Sequence, residues 1–414
     1  MIMMFNLLGV PIIDSDMSFS VSRNRGAFEW AGSSLSGLFA QRSNLLSLDH
    51  WAMIFDIVRF NALSLDLLHD ESGLSNITIG EYLSQERYSQ GFINNYLIPM
   101  TAAIWSTPPD SVALDFPAST LIRFMHNHHL LQITDRTQWL TIKGGSKFYV
   151  DKILSNMKEG TTHISTPITS LRRLESGEVE IASESENWSY DHVIMATHAD
   201  TSLSLLGKNA KDKEEDILSR FAFSQNEAVL HYDEALMPTR RDAWTSWNFL
   251  SHSDGASKGS SADEQVSLTY WMNLLQSLSE EEYGNVLVTL NPPFEPRQDS
   301  IIGRWRYEHP LISTEAVEAQ SMMDEIQGTD RLSFAGAWMK YGFHEDGFAS
   351  GFNAVKSISG LNTRAPFDLV SPERHVDKVN ENIRLILYIL QYLRVNKVVV
   401  SLILIVISVY LSID

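Results

Sequence analysis

The sequence predicts an α/β chain in which a sheet-and-helix domain is interrupted by a second domain of helices and sheet. Three observations predict it. Residues 38–134 carry apolar side chains at helical spacings, residues 221–310 carry short strand-like runs, and a late segment passes from strand end to glycine loop to helix. Lys and Arg number 32 against 51 Asp and Glu, a net charge of -19. Such an acidic surface suits solubility and argues against a nucleic-acid partner, which needs a basic face to neutralise phosphates. There are no cysteines, which excludes disulfides, thiolate metal sites and cysteine nucleophiles.

Taken in order, residues 1–10 lack a basic region and a small-residue cleavage site, so they do not read as a signal peptide. Trp51, Phe55, Ile57, Val58 and Phe60, then Ile79, Tyr82 and Leu83, mark helices, with a breaker at Ser106-Thr107-Pro108-Pro109-Asp110. Trp139-Leu140-Thr141-Ile142 leads through Gly144-Gly145-Ser146 into an amphipathic helix with Tyr149, Ile153 and Met157. Short strands follow at 163–164, 168–171 and 179–181, with a turn at Glu175-Ser176-Gly177-Glu178. A buried strand runs over 190–197. Strands at 228–232, 266–271 and 286–290 frame a polar loop over 251–261. Arg304 and Arg306 alternate on a further strand and share a solvated face.

The most informative stretch is 334–351. A strand over 332–335 ends in Gly336-Ala337-Trp338-Met339-Lys340-Tyr341-Gly342-Phe343-His344-Glu345-Asp346-Gly347, and a helix runs from about Gly347 to Ser359. Glycines let a backbone approach a flat ligand, and a helix N-terminus directs N–H groups and a positive dipole end at it. His344 reads either as a catalytic histidine beside that ligand or as a loop histidine capping backbone. Glu345 and Asp346 read as a general base or, as is ordinary for carboxylates at a helix N-terminus, as caps. His126, His128 and His129 read as helix-end residues, since no carboxylate stands near them at ligand spacing, and no metal site is expected.

Beyond a linker over 363–397, residues 398–413 form an apolar run preceded by Arg394 and Lys397. A helix of that length spans ~24 Å, short of the ~30 Å hydrocarbon core. Snorkelling of Lys397 would recover part of the deficit. The run reads as a tail anchor that leaves the body of the chain cytoplasmic, or else as a buried strand or packing helix.

Together these pieces resemble the FAD-dependent flavoproteins of the amine-oxidase superfamily. The match is carried by Ser15-Asp16-Met17-Ser18-Phe19-Ser20-Val21, Gly37-Leu38-Phe39-Ala40-Gln41, Ile104-Trp105-Ser106-Thr107-Pro108 and His126-Asn127-His128-His129-Leu130-Leu131-Gln132. It continues in Gln138-Trp139, Gly144-Gly145-Ser146, Leu268-Thr269-Tyr270-Trp271-Met272-Asn273, Val288-Thr289-Leu290-Asn291-Pro292 and the motif through Gly351. The resemblance implies an FAD/NAD(P)-binding Rossmann-like fold. Its parts would be 1–25, 135–205 and 325–362, with a helical substrate domain at 26–134 and a sheet substrate domain at 206–324. It implies that Gly336, Ala337 and Trp338 border the flavin, and that Gly347, Ser350 and Gly351 lead the helix aimed at its pyrimidine end. It implies that Ile168 lies against adenine, and that Ala196 and Thr197 form the strand end beside the dinucleotide. Trp338, Tyr341 and Trp271 would wall the substrate cavity.

The implied activity is flavin-mediated oxidation or desaturation of a C–H or C–N bond in an apolar substrate. Domains of this kind are fused to plant cyclopropane fatty acid synthases, which points to acyl lipid. The chain departs from the family in one large respect. Relatives open on a strand, a G-x-G-x-x-G turn and a helix that cradle the pyrophosphate. Here only fourteen residues precede the match at Ser15, so the first βαβ unit and half of the FAD site are expected to be missing. Gly32-Ser33-Ser34-Leu35-Ser36-Gly37-Leu38 does not replace it, having no P-loop lysine. The alternative is a truncated homologue that does not retain FAD and acts only as a membrane-attached binding protein or is inactive.

Overall fold

A computed structural model describes residues 1–69, 77–105, 114, 116–132, 137–157, 160–251, 267–358, 360–361, 366–370 and 373–392. The breaker at 106–110, the polar loop from 252 onward and the run 398–413 lie outside the described residues. The chain folds into two compact units, each made of three segments.

Unit 1 comprises Met1–Pro11, Gly144–Ser224 and Glu308–Val370. Its centre is a pair of parallel strands, Val193–Met195 and Leu332–Phe334, in register Val193 to Leu332 and Met195 to Phe334. Both strands are short and covered, and their one polar residue, Ser333, is buried with its hydroxyl bonded to His192 and Ser357. Leu332 and Phe334 are fully buried, and with Leu206, Ile217, Leu218, Ala319 and Met323 they build one core. Helices Ala199–Leu206, Asp212–Leu218 and Thr314–Met322 contribute to it. A separate antiparallel sheet of Ile168–Arg173, Val179–Ser183 and Asn187–Tyr190 turns at Gly177, whose φ of 89° is open to glycine.

The outer edge of Leu332–Phe334 is closed by a side chain. Gln327 Oε1 accepts from the Phe334 N–H at 2.7 Å and its Nε2 donates to the Phe334 carbonyl at 2.7 Å. One glutamine thus stands in for a neighbouring strand. The first residues form a helix, Ile2–Leu8, stopped by Gly9 at φ 63°. Phe5 meets Tyr149 of helix Lys147–Asn156 at 5.5 Å between ring centroids. That second helix was expected to bury an apolar stripe, yet it contains no buried residue: Phe148 is 37% exposed and Leu154 44%.

Unit 2 comprises Ile12–Lys143, Gln225–Tyr307 and Ser371–Asp414. Residues 12–25, expected in the cofactor domain, therefore belong here. Phe19–Arg23 is an inner strand of a seven-stranded sheet whose order is Ile301–Pro310, Phe223–His231, Leu287–Leu290, Ser267–Trp271, Trp247–Ser251, Phe19–Arg23 and Phe28–Ala31. Trp247–Ser251 pairs with Phe19–Arg23 in parallel and with Ser267–Trp271 antiparallel. The helices expected over 38–134 are present as Leu48–Leu63, Ile79–Gln85, Ile98–Trp105 and Ala118–Asn127. Thr78 and Glu81 form a reciprocal capping box on the second of these.

Across five strands of this sheet runs a buried polar row. Ser20 Oγ donates to Asn248 Oδ1 at 2.9 Å, Asn248 Nδ2 to the Thr269 carbonyl at 3.0 Å, and the Thr269 and Thr289 hydroxyls meet at 2.8 Å. The row ends on His231, whose Nε2 lies 2.7 Å from Thr289 Oγ1 while its Nδ1 accepts from the Asp233 N–H at 3.0 Å. That second bond requires a bare Nδ1, so the ring is neutral with its proton on Nε2. Glu29, fully buried, is satisfied by Ser22 Oγ, Arg240 Nη1 and the N–H groups of Thr239 and Arg240.

Candidate active site

In unit 1 the carboxyl ends of the two parallel strands open together, the position at which α/β sheets bind ligands. The first strand ends in Ala196, exposed, and Thr197, half-buried. The second ends in Ala335, whose N–H donates to the Met195 carbonyl at 2.9 Å, and then enters the glycine loop. Helix His344–Lys356 closes the arrangement, starting three residues before the expected Gly347. Ser350 ties loop to helix: its Oγ accepts from the Gly336 N–H at 2.8 Å and donates to the Gly347 carbonyl at 2.8 Å. Gln320 Nε2 secures the loop from the other side, donating to the Trp338 and Lys340 carbonyls at 3.0 and 2.7 Å.

Six of the nine residues expected to hold the cofactor are thus brought into one hydrogen-bonded neighbourhood: Thr197, Gly336, Ala337, Trp338, Gly347 and Ser350. Ala196 precedes Thr197 and Gly351 follows Ser350 on the same elements. Ile168 begins the separate antiparallel sheet of the unit, half-buried. Trp338 is placed differently from a cavity wall. It is 2% exposed, packs edge-on against Phe221 at 4.6 Å, and its indole N–H donates to the Thr197 carbonyl at 3.1 Å. It is a core side chain that braces the two strand ends against each other.

The glycines divide into two kinds. Gly336 has φ 166°, an extended value any residue adopts, and a Cβ there would lie 2.1 Å from Trp338 Nε1. Its identity follows from the tryptophan. Gly347 and Gly351 are the opposite case. A Cβ on Gly347 would make only an ordinary contact with Ala337 at 3.7 Å, and one on Gly351 would meet nothing within 4 Å. The first turns of the helix therefore face open space, which fits the close approach of a planar ring. The helix N-terminus is partly spoken for: Asp346 Oδ2 accepts from the Phe343 N–H at 3.0 Å, and Glu345 pairs with the terminal ammonium at 2.7 Å. Asp346 is a cap, as its position predicted, whereas Glu345 is an ion-pair partner. For the pyrophosphate the chain offers no G-x-G spacing: none of its 22 glycines lies two residues from another. The residues present fit the ring end of FAD.

His344 is exposed at the first helical residue, its ring 6.0 Å from Tyr149 in an edge-on contact. Tyr341 is half-buried with Lys340 Nζ 5.6 Å from its ring centroid. Trp271 belongs to unit 2. There its indole N–H donates to Asn285 Oδ1 at 3.1 Å and the Arg241 guanidinium lies 4.6 Å from its ring. His126 Nε2 bonds the His375 carbonyl at 3.1 Å, and His128 Nδ1 its own helix at Phe124 O, 2.9 Å. Among the described residues no group of side chains has the arrangement of a metal site.

Sequence reasoning passed over His198, which follows Thr197 directly. It stacks on Phe223 at 4.3 Å between centroids, and its Nδ1 lies 3.5 Å from Glu308 Oε2. His309 is held below the usual histidine range, first by burial and then by His198. A histidine after a strand end has no distinguishing spacing; only the fold joins 198 to 308–309.

A sequence profile for the family described as flavin containing amine oxidoreductase matches residues 36–359. Among solved structures, a CLA-producing fatty acid isomerase from P. acnes superposes with TM-score 0.52 at 11% identity, over 86% of this chain and 82% of that one. Cyclohexylamine oxidase from Brevibacterium oxydans IH-35A gives TM-score 0.52 at 12% identity, over 85% of this chain and 83% of that one. Reduced UDP-galactopyranose mutase gives 0.52 at 12%, over 87% and 82%. At these identities the likeness is one of fold. No curated protein matches the chain in sequence.

Proposed function

The chain belongs to the flavin containing amine oxidoreductase family, and we propose that it oxidises or desaturates a C–H or C–N bond of an apolar, acyl-lipid substrate. The observation that carries this reading is the Ser350 junction, which fixes the glycine loop on the helix at the strand ends. FAD, when bound, supplies the hydride acceptor. The chain's own part is to leave room at Gly347 and Gly351, to aim the dipole of helix His344–Lys356 at the ring, and to exclude water. We read residues 398–413 as a tail that attaches the body to a membrane.

The missing G-x-G spacing favours a second reading, a homologue that does not retain FAD and serves as a binding protein. Flavin titration followed by absorbance and fluorescence separates the two. The expected result is substoichiometric flavin after desalting, with saturable binding on addition of FAD that weakens about tenfold, or ~1.4 kcal/mol, in Gly351→Val. One full equivalent surviving desalting would overturn the partial site. No saturable binding would overturn the oxidoreductase reading and leave the second.

A further inference from the structure

Two of the stretches that carry the family likeness, 37–41 and 268–273, take no part at the strand ends of unit 1, and both help to build a cleft in unit 2. On one side stands the short helix Leu35–Leu38, capped by Ser34, whose Oγ accepts from the Gly37 N–H at 3.0 Å. A Cβ on Gly37 would lie 3.2 Å from the Asp242 carbonyl oxygen, so this glycine lets the turn press on residues 240–242. Gln41 then pins the chain with both ends of its amide. Its Oε1 accepts from the Glu29 N–H and its Nε2 donates to the Ala27 carbonyl, each at 2.9 Å. On the other side Arg240 Nη1 donates to buried Glu29 Oε2 and to the Gly26 carbonyl, both at 2.8 Å. The Arg241 guanidinium lies 3.9 Å from the Trp244 ring and 4.6 Å from the Trp271 ring, in the corner of two indoles that meet edge-on. The cleft has a volume of about 570 Å³, and its lining includes Gln41, Arg42, Ser43, Arg240, Arg241 and Asp242.

Three guanidinium groups thus converge on one cleft of a chain whose net charge is -19. Their charges are spent to different degrees. Arg240 is taken up by Glu29, which lies outside the lining. Arg241 pairs with Glu280 at 3.1 Å, but the two side chains are 51% and 48% exposed, so the pair is weak and yields to a better partner. Arg42 is exposed and makes no hydrogen bond or ion pair with any described residue. A planar carboxylate is satisfied by one guanidinium fork, whereas the oxygens of a tetrahedral phosphate accept from several directions. Ser43 adds a hydroxyl donor. Asp242, the one carboxylate in the lining, opposes a polyanion and limits the ligand to a single phosphate. A cleft of this volume also has room for an organic group on that phosphate. We propose that it binds a phosphate monoester, with Arg42 and Arg241 holding the phosphate and Arg240, fixed by Glu29, adding its field. Neither FAD nor the strand-end site enters this binding.

Isothermal titration of the full chain, in a phosphate-free buffer of low ionic strength, tests this with glycerol 3-phosphate as the probe. Saturable binding of one equivalent is expected. It should weaken about tenfold or more in Arg42→Ala, and less in Arg42→Lys, which keeps the charge and loses the fork. Arg42 has no partner to lose, so Arg42→Ala should keep the urea midpoint of the parent. Glu280→Gln should tighten binding by releasing Arg241. Arg304→Ala is the control, an arginine of unit 2 paired with Glu227 and Glu295, and should bind as the parent does. Dihexanoyl phosphatidic acid below its micelle concentration identifies the source of the phosphate. Tighter binding than glycerol 3-phosphate means a lipid headgroup, and equal or weaker binding means a soluble ester. No saturable binding by the parent, or equal affinity in the parent and Arg42→Ala, would overturn the site. A loss in Arg304→Ala matching that in Arg42→Ala would also overturn it, as a diffuse response to charge. Acetate bound as tightly as glycerol 3-phosphate would overturn the phosphate specificity.

Discussion

A Cβ built on Gly336 would sit 2.1 Å from the nitrogen of an indole that has nowhere to go. Trp338 is buried against Phe221 and tied by its N–H to the Thr197 carbonyl. Gly336→Ala should therefore destabilise the protein by about 1–3 kcal/mol, the usual cost of overpacking a fixed neighbour. The loss should shrink on a Trp338→Leu background, where the clash is gone; urea midpoints of the four proteins form the cycle. Equal losses on both backgrounds would show that the indole is not the reason for the glycine. The same pair shows where sequence reasoning stopped. That 336–351 forms a glycine loop leading into a helix was legible from residue types alone. Which side of the backbone Trp338 takes was not, since an aromatic beside a glycine reads equally well as cavity wall or as brace.

The strand Leu332–Phe334 was legible for a different reason: three buried residues ahead of a glycine leave little alternative to a covered strand. Its pairing and its edge were hidden. Gln327 completes the ladder with both ends of its amide, and a lone glutamine in a loop carries no periodic signature. Gln327→Leu would leave the N–H and carbonyl of Phe334 unpaired at a fully buried position. The expected loss is about 2–6 kcal/mol, one to three for each group left unpaired, read as a lower urea midpoint at unchanged slope. Stability within ~0.5 kcal/mol of the parent would mean that the edge finds another partner. The large sheet was hidden in part for another reason. Phe19-Ser20-Val21-Ser22 alternates apolar and polar residues like a strand with one wet face, yet Ser20 and Ser22 are buried like Val21.

For the molecule as a whole, the buried histidines set a limit on acid tolerance. Burial lowers His231 to about 4 against a small pull from Asp233, and lowers His50 to about 4 against its bond to the Leu38 carbonyl. In the unfolded chain both titrate near ~6.5. Between those values the unfolded state binds more protons, so the stability these histidines allow is complete above about pH 6.5 and is lost as pH falls towards 4. The expected loss is ~2 kcal/mol per histidine between pH 7 and pH 5. Urea denaturation at the two pH values measures it, and His231→Gln should flatten the dependence. Identical stability at pH 7 and 5 would contradict the neutral Nε2–H ring at the end of the polar row.

The assembly of each unit from three separate stretches of chain has a consequence for how the protein is made. Val193–Met195 waits for Leu332–Phe334 before it has any parallel partner, and Phe19–Arg23 waits for Trp247–Ser251. Neither unit is finished when the ribosome has passed its first segment, so synthesis does not deliver one folded domain and then the next. Until its last third emerges, the nascent chain holds apolar strands with open edges. Its exposure to aggregation is greatest during translation, and a chaperone that holds the early segments should matter more to its yield than to its final stability.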